Sequence, residues 1–284
     1  MAARSGAHPT AETMSRDDQS FPQPIFIGGT ARSGTHAIGR LIDAHPRYHM
    51  IKLETRFISG TGGLVDLLNE ETTMPRFLEK CFGKWWSRGL RHIRGLQLIV
   101  EPDRFEAAMA QFQEGYEEDR WRASSRLIRD LLDPPAARVD KPAWVELSGQ
   151  NIRVAPTLRR LFPDARFIHM VRDGRAVVAG IVRKRDMPDD LAYAMDHWQK
   201  RVRASAAALR ELPAGSALTI QLEDLAAHDR ERTYAQLVDF LELEDDGPMR
   251  RYFDDEINAE RAHVGAWRER IAPEDVRWID RLRP

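Results

Sequence analysis

Twelve residues near the start of the chain carry the pieces of an oxyanion cradle. Ile27-Gly28-Gly29-Thr30-Ala31-Arg32-Ser33-Gly34-Thr35-His36-Ala37-Ile38 runs from an apolar stretch through a glycine-rich turn into a helical pattern. Glycines let a backbone turn sharply and come close to a ligand. A helix N-terminus then offers unpaired N–H groups at the positive end of its dipole. Together they suit a phosphate or a sulfate. The interval Gly29-x4-Gly34 equals that of a nucleotide P-loop. Thr35 stands where such a loop carries lysine, so a nucleoside triphosphate would lack its β/γ-phosphate cation, and a kinase is disfavoured. Arg32 supplies a cation from inside the loop instead. An ordinary Gly-rich strand-to-helix turn has the same interval, so spacing alone leaves both readings open.

A second stretch, Phe162 to Val178, reads as a strand that ends in Arg172-Asp173-Gly174-Arg175 and opens a helix. Open α/β sheets bind ligands at the carboxyl ends of their strands, and an arginine there can fork onto a second phosphate. The two motifs, in this order and about 140 residues apart, resemble the sulfotransferases that use 3′-phosphoadenosine 5′-phosphosulfate, PAPS. The resemblance runs from about Phe26 to Ile271. It takes in Leu41-Ile42-Asp43-Ala44-His45-Pro46, Glu223-Asp224-Leu225 and Val264-Gly265-Ala266-Trp267. It is greatest for the tyrosylprotein sulfotransferases and their bacterial relatives.

The resemblance implies that Arg32, Ser33, Gly34, Thr35 and His36 hold the 5′-phosphosulfate. It implies that Arg172, with Lys184, holds the 3′-phosphate, and it places Arg261 near a basic position that the wider family uses on the nucleotide. Sulfuryl transfer to an alcohol also needs a base for the hydroxyl proton and cations for the charge growing on the leaving phosphate, as phosphoryl transfer does. Leu53-Glu54-Thr55-Arg56 follows the expected second strand. The tyrosylprotein branch carries Glu-Thr-Arg here with its glutamate as base, which by resemblance gives Glu54 that role. From position alone Glu54 is a surface glutamate paired to Arg56. A glutamate serves as base near neutral pH only when burial or neighbours tune it.

Three departures bear on this. His36 replaces the usual second threonine of the loop, and its imidazole either reaches the sulfate or acceptor or simply packs. Gly180 stands where the family usually has a phosphate-binding serine. Lys184, flanked by Arg183 and Arg185, matches a basic position of the tyrosylprotein branch. Leu147 falls where many bacterial relatives carry a lysine that assists the leaving group, so Arg32 must do more or Arg153 must reach in.

These residues need a scaffold of strands and helices in alternation. Ile25-Phe26-Ile27, Pro142–Leu147, Arg166–Val171 and Ala217–Leu222 read as strands. Ala37, Ile38, Leu41 and Ile42, and later Tyr234, Leu237, Val238 and Leu241, recur at helical spacing. The fold expected is an α/β, P-loop-like parallel sheet flanked by helices. Between about 60 and 140 helical patterns dominate, which reads as a helical cap. Asp103 with Glu106 suggests a capping-box start there, and Asp133-Pro134-Pro135 a stop. Trp85-Trp86 with Phe82 reads as cap core or as acceptor pocket, and His197-Trp198 as packing. Residues 1–21 read as a flexible tail before a single domain over 22–284.

Composition narrows the class further. The 284 residues carry a net charge of −1, against a nucleic-acid-coating role. Of 43 cations 37 are arginine, which grips oxyanions bidentately; compositional bias of the genome accounts for the excess as readily. The single Cys81 fits a reducing, cytoplasmic setting, and no apolar run reaches a membrane span. No histidines show metal-ligand spacing, and PAPS offers no β/γ-phosphate pair for a metal to bridge. The acceptor expected is a small-molecule or glycolipid hydroxyl rather than a secreted protein. A different sulfate donor, or nucleotide binding without catalysis, are the alternatives.

Overall fold

The computed structural model describes residues 23–87, 95–182, 191–244 and 247–271. Five parallel strands form one sheet: β1 (Ile25–Gly29), β2 (Tyr48–Met50), β3 (Ala143–Glu146), β4 (Arg166–Val171) and β5 (Ala217–Gln221). Their spatial order is β2-β3-β1-β4-β5. β1 is central, with Ile25 level with Val145 on one side and Arg166 on the other. All its residues are buried, as befits a parallel strand covered on both faces. The chain leaves β1 for β2 on one side and later crosses from β3 to β4 on the other. Loops at the carboxyl ends therefore diverge about β1 and open a crevice.

The helices among the described residues are α1 (Thr35–Asp43), α2 (Arg56–Ser59), α3 (Leu64–Leu68), α4 (Met74–Phe82), α5 (Pro102–Tyr116), α6 (Arg120–Ala137), α7 (Ala155–Leu161), α8 (Gly174–Val182), α9 (Leu191–Arg210), α10 (Arg230–Leu241) and α11 (Gly247–Glu256). Side chains of β1 alternate between two cores. Ile25 and Ile27 join α1, α10 and α11 through Ile38, Leu41, Leu237 and Phe253. Phe26 faces the other way, its ring 5.5 Å from Trp144 and 5.8 Å from Phe167. That core runs on without a break into Phe57, Phe77, Met109, Phe112 and Ile128. The helices between 60 and 140 thus share the core of the sheet. Each fully buried ring contributes roughly 1.5–3 kcal/mol. That packing holds α2 to α5 without side-chain caps.

Two expectations in this region fail. α5 begins with Pro102 at its first position after Glu101, and Asp103 sits inside the first turn rather than capping it. Proline fixes a helical φ and lacks the N–H that a cap would satisfy. α6 runs through Pro134 and Pro135 to Ala137. Both prolines lie in its last turn, where few further bonds are lost. Asp133 is kept in the helix by the Trp144 indole, which donates to its Oδ1 at 2.7 Å and ties α6 to β3.

Candidate active site

The loop after β1 is held by contacts that only glycine permits. A Cβ on Gly29 would lie 2.3 Å from the Met170 carbonyl oxygen and 2.7 Å from Ser33 Oγ. The Gly29 N–H donates to the Gly149 carbonyl at 3.1 Å, fixing the loop to the end of β3. Gly34 caps α1 with φ 93°, and Arg32 also sits in the left-handed region at φ 67°. α1 has no side-chain cap and no acid in its first turn. Its leading N–H groups at Thr35 and His36 lack intrahelical acceptors. The hydroxyls of Ser33 and Thr30 are buried without a hydrogen-bond partner. Orphaned donors around an uncapped helix end fit an incoming oxyanion.

Arg172, at the end of β4, already binds the site together. Its Nη1 donates to the Arg32 carbonyl at 3.0 Å, and its Nη2 to the carbonyls of Ala262 at 2.7 Å and His263 at 3.3 Å. The guanidinium therefore joins the loop to the late segment carrying Arg261. Its Nε is buried without a hydrogen bond and ion-pairs with Glu223 Oε1 at 3.9 Å. Burial, and repulsion from Arg32 and Arg270, push its pKa down while Glu223 pulls it up; an arginine stays charged regardless. Glu223 also accepts from the Asp173 N–H at 3.1 Å. Arg175 serves structure: it pairs with Asp173 at 2.6 Å and lies 4.3 Å over Trp267.

One cavity of about 1520 Å³ receives nearly all of these groups. Arg32, Gly34, Thr35 and His36 line it, as do Glu54, Arg172 and Arg261; Ser33 is buried just behind the lining. Lys184, Arg183 and Arg185 lie outside the described residues. Glu54 is half exposed and pairs with Arg56 at 3.4 Å, so the surface pair and the cavity position are both realised. Arg261 pairs with Glu256 at 2.8 Å.

The departures find physical explanations. Leu147 packs in the core between α1 and the sheet, so close that a Cβ on Gly39 would touch its Cδ2 at 2.6 Å. The face of α8 left open by Gly180 is filled by the stem of Arg32, 3.2 Å from where a Cβ would stand. Arg153 is exposed and donates to the Gln150 side chain, which lines the cavity.

Some site residues escaped the sequence reading. Tyr193, His197 and Arg201 line the cavity from successive turns of α9. The Tyr193 and His197 rings stack at 5.7 Å, and Arg201 Nε donates to His197 Nε2 at 3.0 Å. Burial lowers the pKa of both His197 and Arg201. Only Trp198 of the expected packing pair is buried. The spacing of four was legible, but nothing in it distinguishes a cavity face from a solvent face. Trp85 is buried against Phe77 and also lines the cavity, while Trp86 stacks on Phe105.

A parallel sheet in this order, with an uncapped glycine loop ending its central strand, defines a nucleotide-type α/β protein of P-loop architecture. Within that class the chain belongs to the sulfotransferase family, whose model matches residues 24–247. A putative protein-tyrosine sulfotransferase of Caenorhabditis briggsae is 27% identical over 166 residues, which are 58% of this chain and 45% of that protein. The chain spans from about a third to a little over half of the length of such curated relatives. The sulfotransferase domain of a Synechococcus olefin synthase superposes with a TM-score of 0.56 at 18% identity, covering 95% of this chain and 98% of that one. A mouse sulfotransferase solved with PAP gives 0.50 at 11% identity, covering 92% and 83%. Among the described residues no helix is long and apolar enough to cross a membrane.

Proposed function

We propose that the chain is a PAPS-dependent sulfotransferase that modifies a hydroxyl of a small-molecule or glycolipid acceptor in the cytoplasm. The observation that carries the reading is the meeting of the uncapped loop, Arg172 and Glu54 in one cavity. Family membership supports the chemistry, and PAP in a structural neighbour supports the donor. PAPS supplies the sulfuryl group. The Ser33 hydroxyl and the Thr35 and His36 N–H groups grip the phosphosulfate, with Arg32 beside them. Arg172 and Lys184 hold the 3′-phosphate and Arg261 meets the nucleotide; of these Arg172 and Arg261 line the cavity. Glu54 takes the acceptor proton. The acceptor oxygen bonds to sulfur as the bridging S–O bond breaks, and Arg32 meets the electron pair left on the phosphate oxygen. With Leu147 turned into the core, that cation comes from the loop itself.

The acceptor half of the cavity is walled by Trp85 from the cap and by Tyr193 and His197 from α9. That recess suits a compact molecule with a flat apolar part. The free buried thiol of Cys81 suits a reducing compartment. The experiment is to incubate the protein with PAPS and separate sets of phenols, primary alcohols, glycolipids and tyrosine peptides, and to measure bisphosphate release. Sulfation of a non-peptide hydroxyl is the expected result. Sulfation of tyrosine peptides alone would overturn the acceptor class. Bisphosphate binding without turnover would point to a binding protein or another donor.

A further inference from the structure

Behind the cavity wall lies a carboxylate that the reaction scheme leaves idle. Glu146, at the end of β3, is fully buried. Its Oε1 accepts from the Thr55 N–H at 3.1 Å, the Ser148 N–H at 3.1 Å and the Ser148 hydroxyl at 2.7 Å. Its Oε2 accepts from the Asn151 side-chain amide and shares the Ser148 N–H at 3.1 Å. Both carboxylate oxygens accept hydrogen bonds, from backbone N–H groups, a hydroxyl and an amide. No cation pairs with it among the described residues. Such a group is costly to bury and is satisfied here by dipoles alone.

Those dipoles belong to the three segments that meet at the reacting centre. Thr55 is the middle of an inverse γ-turn, φ −81° and ψ 73°, closed by the Arg56 N–H on the Glu54 carbonyl at 2.9 Å. That turn sets the direction of Glu54 and Arg56. Ser148 opens the segment whose Gly149 carbonyl accepts from Gly29. The Asn151 amide also donates to the Ile27 carbonyl at 3.0 Å, next to the donor loop, and its Oδ1 accepts from Ser59 at 2.9 Å. A single side chain thus registers the Glu54 turn against the loop holding Arg32.

We propose that Glu146 is a positioning residue for sulfuryl transfer, acting through the Thr55 N–H to fix Glu54 relative to the donor loop. The proposal rests on the reading of Glu54 as base. Misplacement of a reacting group by about 1 Å can cost roughly a hundred-fold in rate.

The test compares Glu146→Gln, Thr55→Pro, their double variant and Glu54→Gln. PAPS turnover is measured with a phenol acceptor and with water alone, alongside bisphosphate affinity by calorimetry. Glu146→Gln turns one acceptor into a donor facing donors. Thr55→Pro removes the N–H at a φ that proline adopts, along with the buried hydroxyl and methyl, and it restricts the backbone of Glu54; Thr55→Val, which keeps the N–H, is the control for the side chain. We expect each to lower kcat about ten- to a hundred-fold with bisphosphate affinity unchanged within about three-fold. The double variant is expected to be no slower than Glu146→Gln alone, because both break one coupling. If Glu146→Gln does not fold, Thr55→Pro decides alone. Wild-type kcat in Thr55→Pro, with Glu54→Gln slow, overturns this inference and leaves the base standing. Wild-type kcat in Glu54→Gln overturns the base, and the proposal with it. A parallel loss of bisphosphate affinity and kcat would reduce Glu146 to general support of the fold. An additive double variant would mean that Glu146 acts by another route.

Discussion

The two walls of the cavity are built in different ways. The wall we assign to the donor is built largely of backbone: a glycine turn, an uncapped helix end, and carbonyls strapped by Arg172. The wall we assign to the acceptor presents side chains: Trp85 from one segment, Tyr193, His197 and Arg201 from another, and Glu54 from a third. A backbone site tolerates little sequence change, because its geometry depends on glycine and on loop length. A side-chain wall changes with every substitution while the fold stands.

Variants can break this comparison, and the largest effect is expected where the walls meet. Glu54→Gln keeps the shape and removes the base. Turnover should fall about 10²–10⁴-fold while bisphosphate affinity stays level in calorimetry. Full activity in Glu54→Gln together with loss in His36→Ala would move the base to the loop. Arg32→Ala comes next, at about a hundred-fold in kcat, because its charge meets charge that grows only in the transition state. A rise in donor KM with unchanged kcat would make Arg32 a binding residue.

Arg172→Ala should cost about ten-fold or more in bisphosphate affinity, since a charge-assisted contact contributes roughly 1.5–3 kcal/mol. The loss should exceed that for 5′-AMP, which lacks the 3′-phosphate; equal losses for both would mean that only the strap to Arg32 and Ala262 was broken. Arg201→Gln should act on the other wall alone. It removes a half-buried charge and the bond to His197, so acceptor KM should rise about three- to ten-fold with donor KM constant. A matching change in donor KM would show that the two walls are not separable.

The same contrast decided what the sequence disclosed. The donor loop was legible because its chemistry is local: glycine, arginine and a helix start lie within twelve residues. β1, β3 and β4 were legible because burial on both faces makes them largely apolar runs; β5, at the sheet edge and only partly buried, was legible instead as a short stretch rich in Leu, Thr and Ile. The wall on α9 was not, since His197 reaches the cavity through the packing of α9 against α7, α8 and β1. Glu146 looked like one letter of a motif. Its hub function depends on partners as distant as Thr55, 91 residues away. Gly180 looked like a lost phosphate ligand, and only the fold reveals the Arg32 stem lying across it.

That last contact carries the smallest and most pointed prediction. Gly180 sits inside α8, where glycine costs roughly 0.5–1 kcal/mol relative to alanine. Gly180→Ala should therefore stabilise the helix. The new Cβ would stand 3.2 Å from Arg32 Cγ and 3.4 Å from its Nε. The Arg32 side chain is exposed, and a small rotation of its stem relieves the contact by a few tenths of an ångström. The helix should become more stable by about 0.5 kcal/mol, read as a small rise in Tm. Arg32, already held in a left-handed backbone at φ 67°, must then rest further from α8. If its path over Gly180 directs the guanidinium toward the phosphosulfate, kcat should fall about two- to three-fold as stability rises. Opposite signs in one variant would show that the glycine is kept for the arginine at a cost to the helix. A rise in Tm with unchanged kcat would sever the two. The Arg32 guanidinium would then find the phosphosulfate without guidance from α8, its direction set by the loop backbone alone.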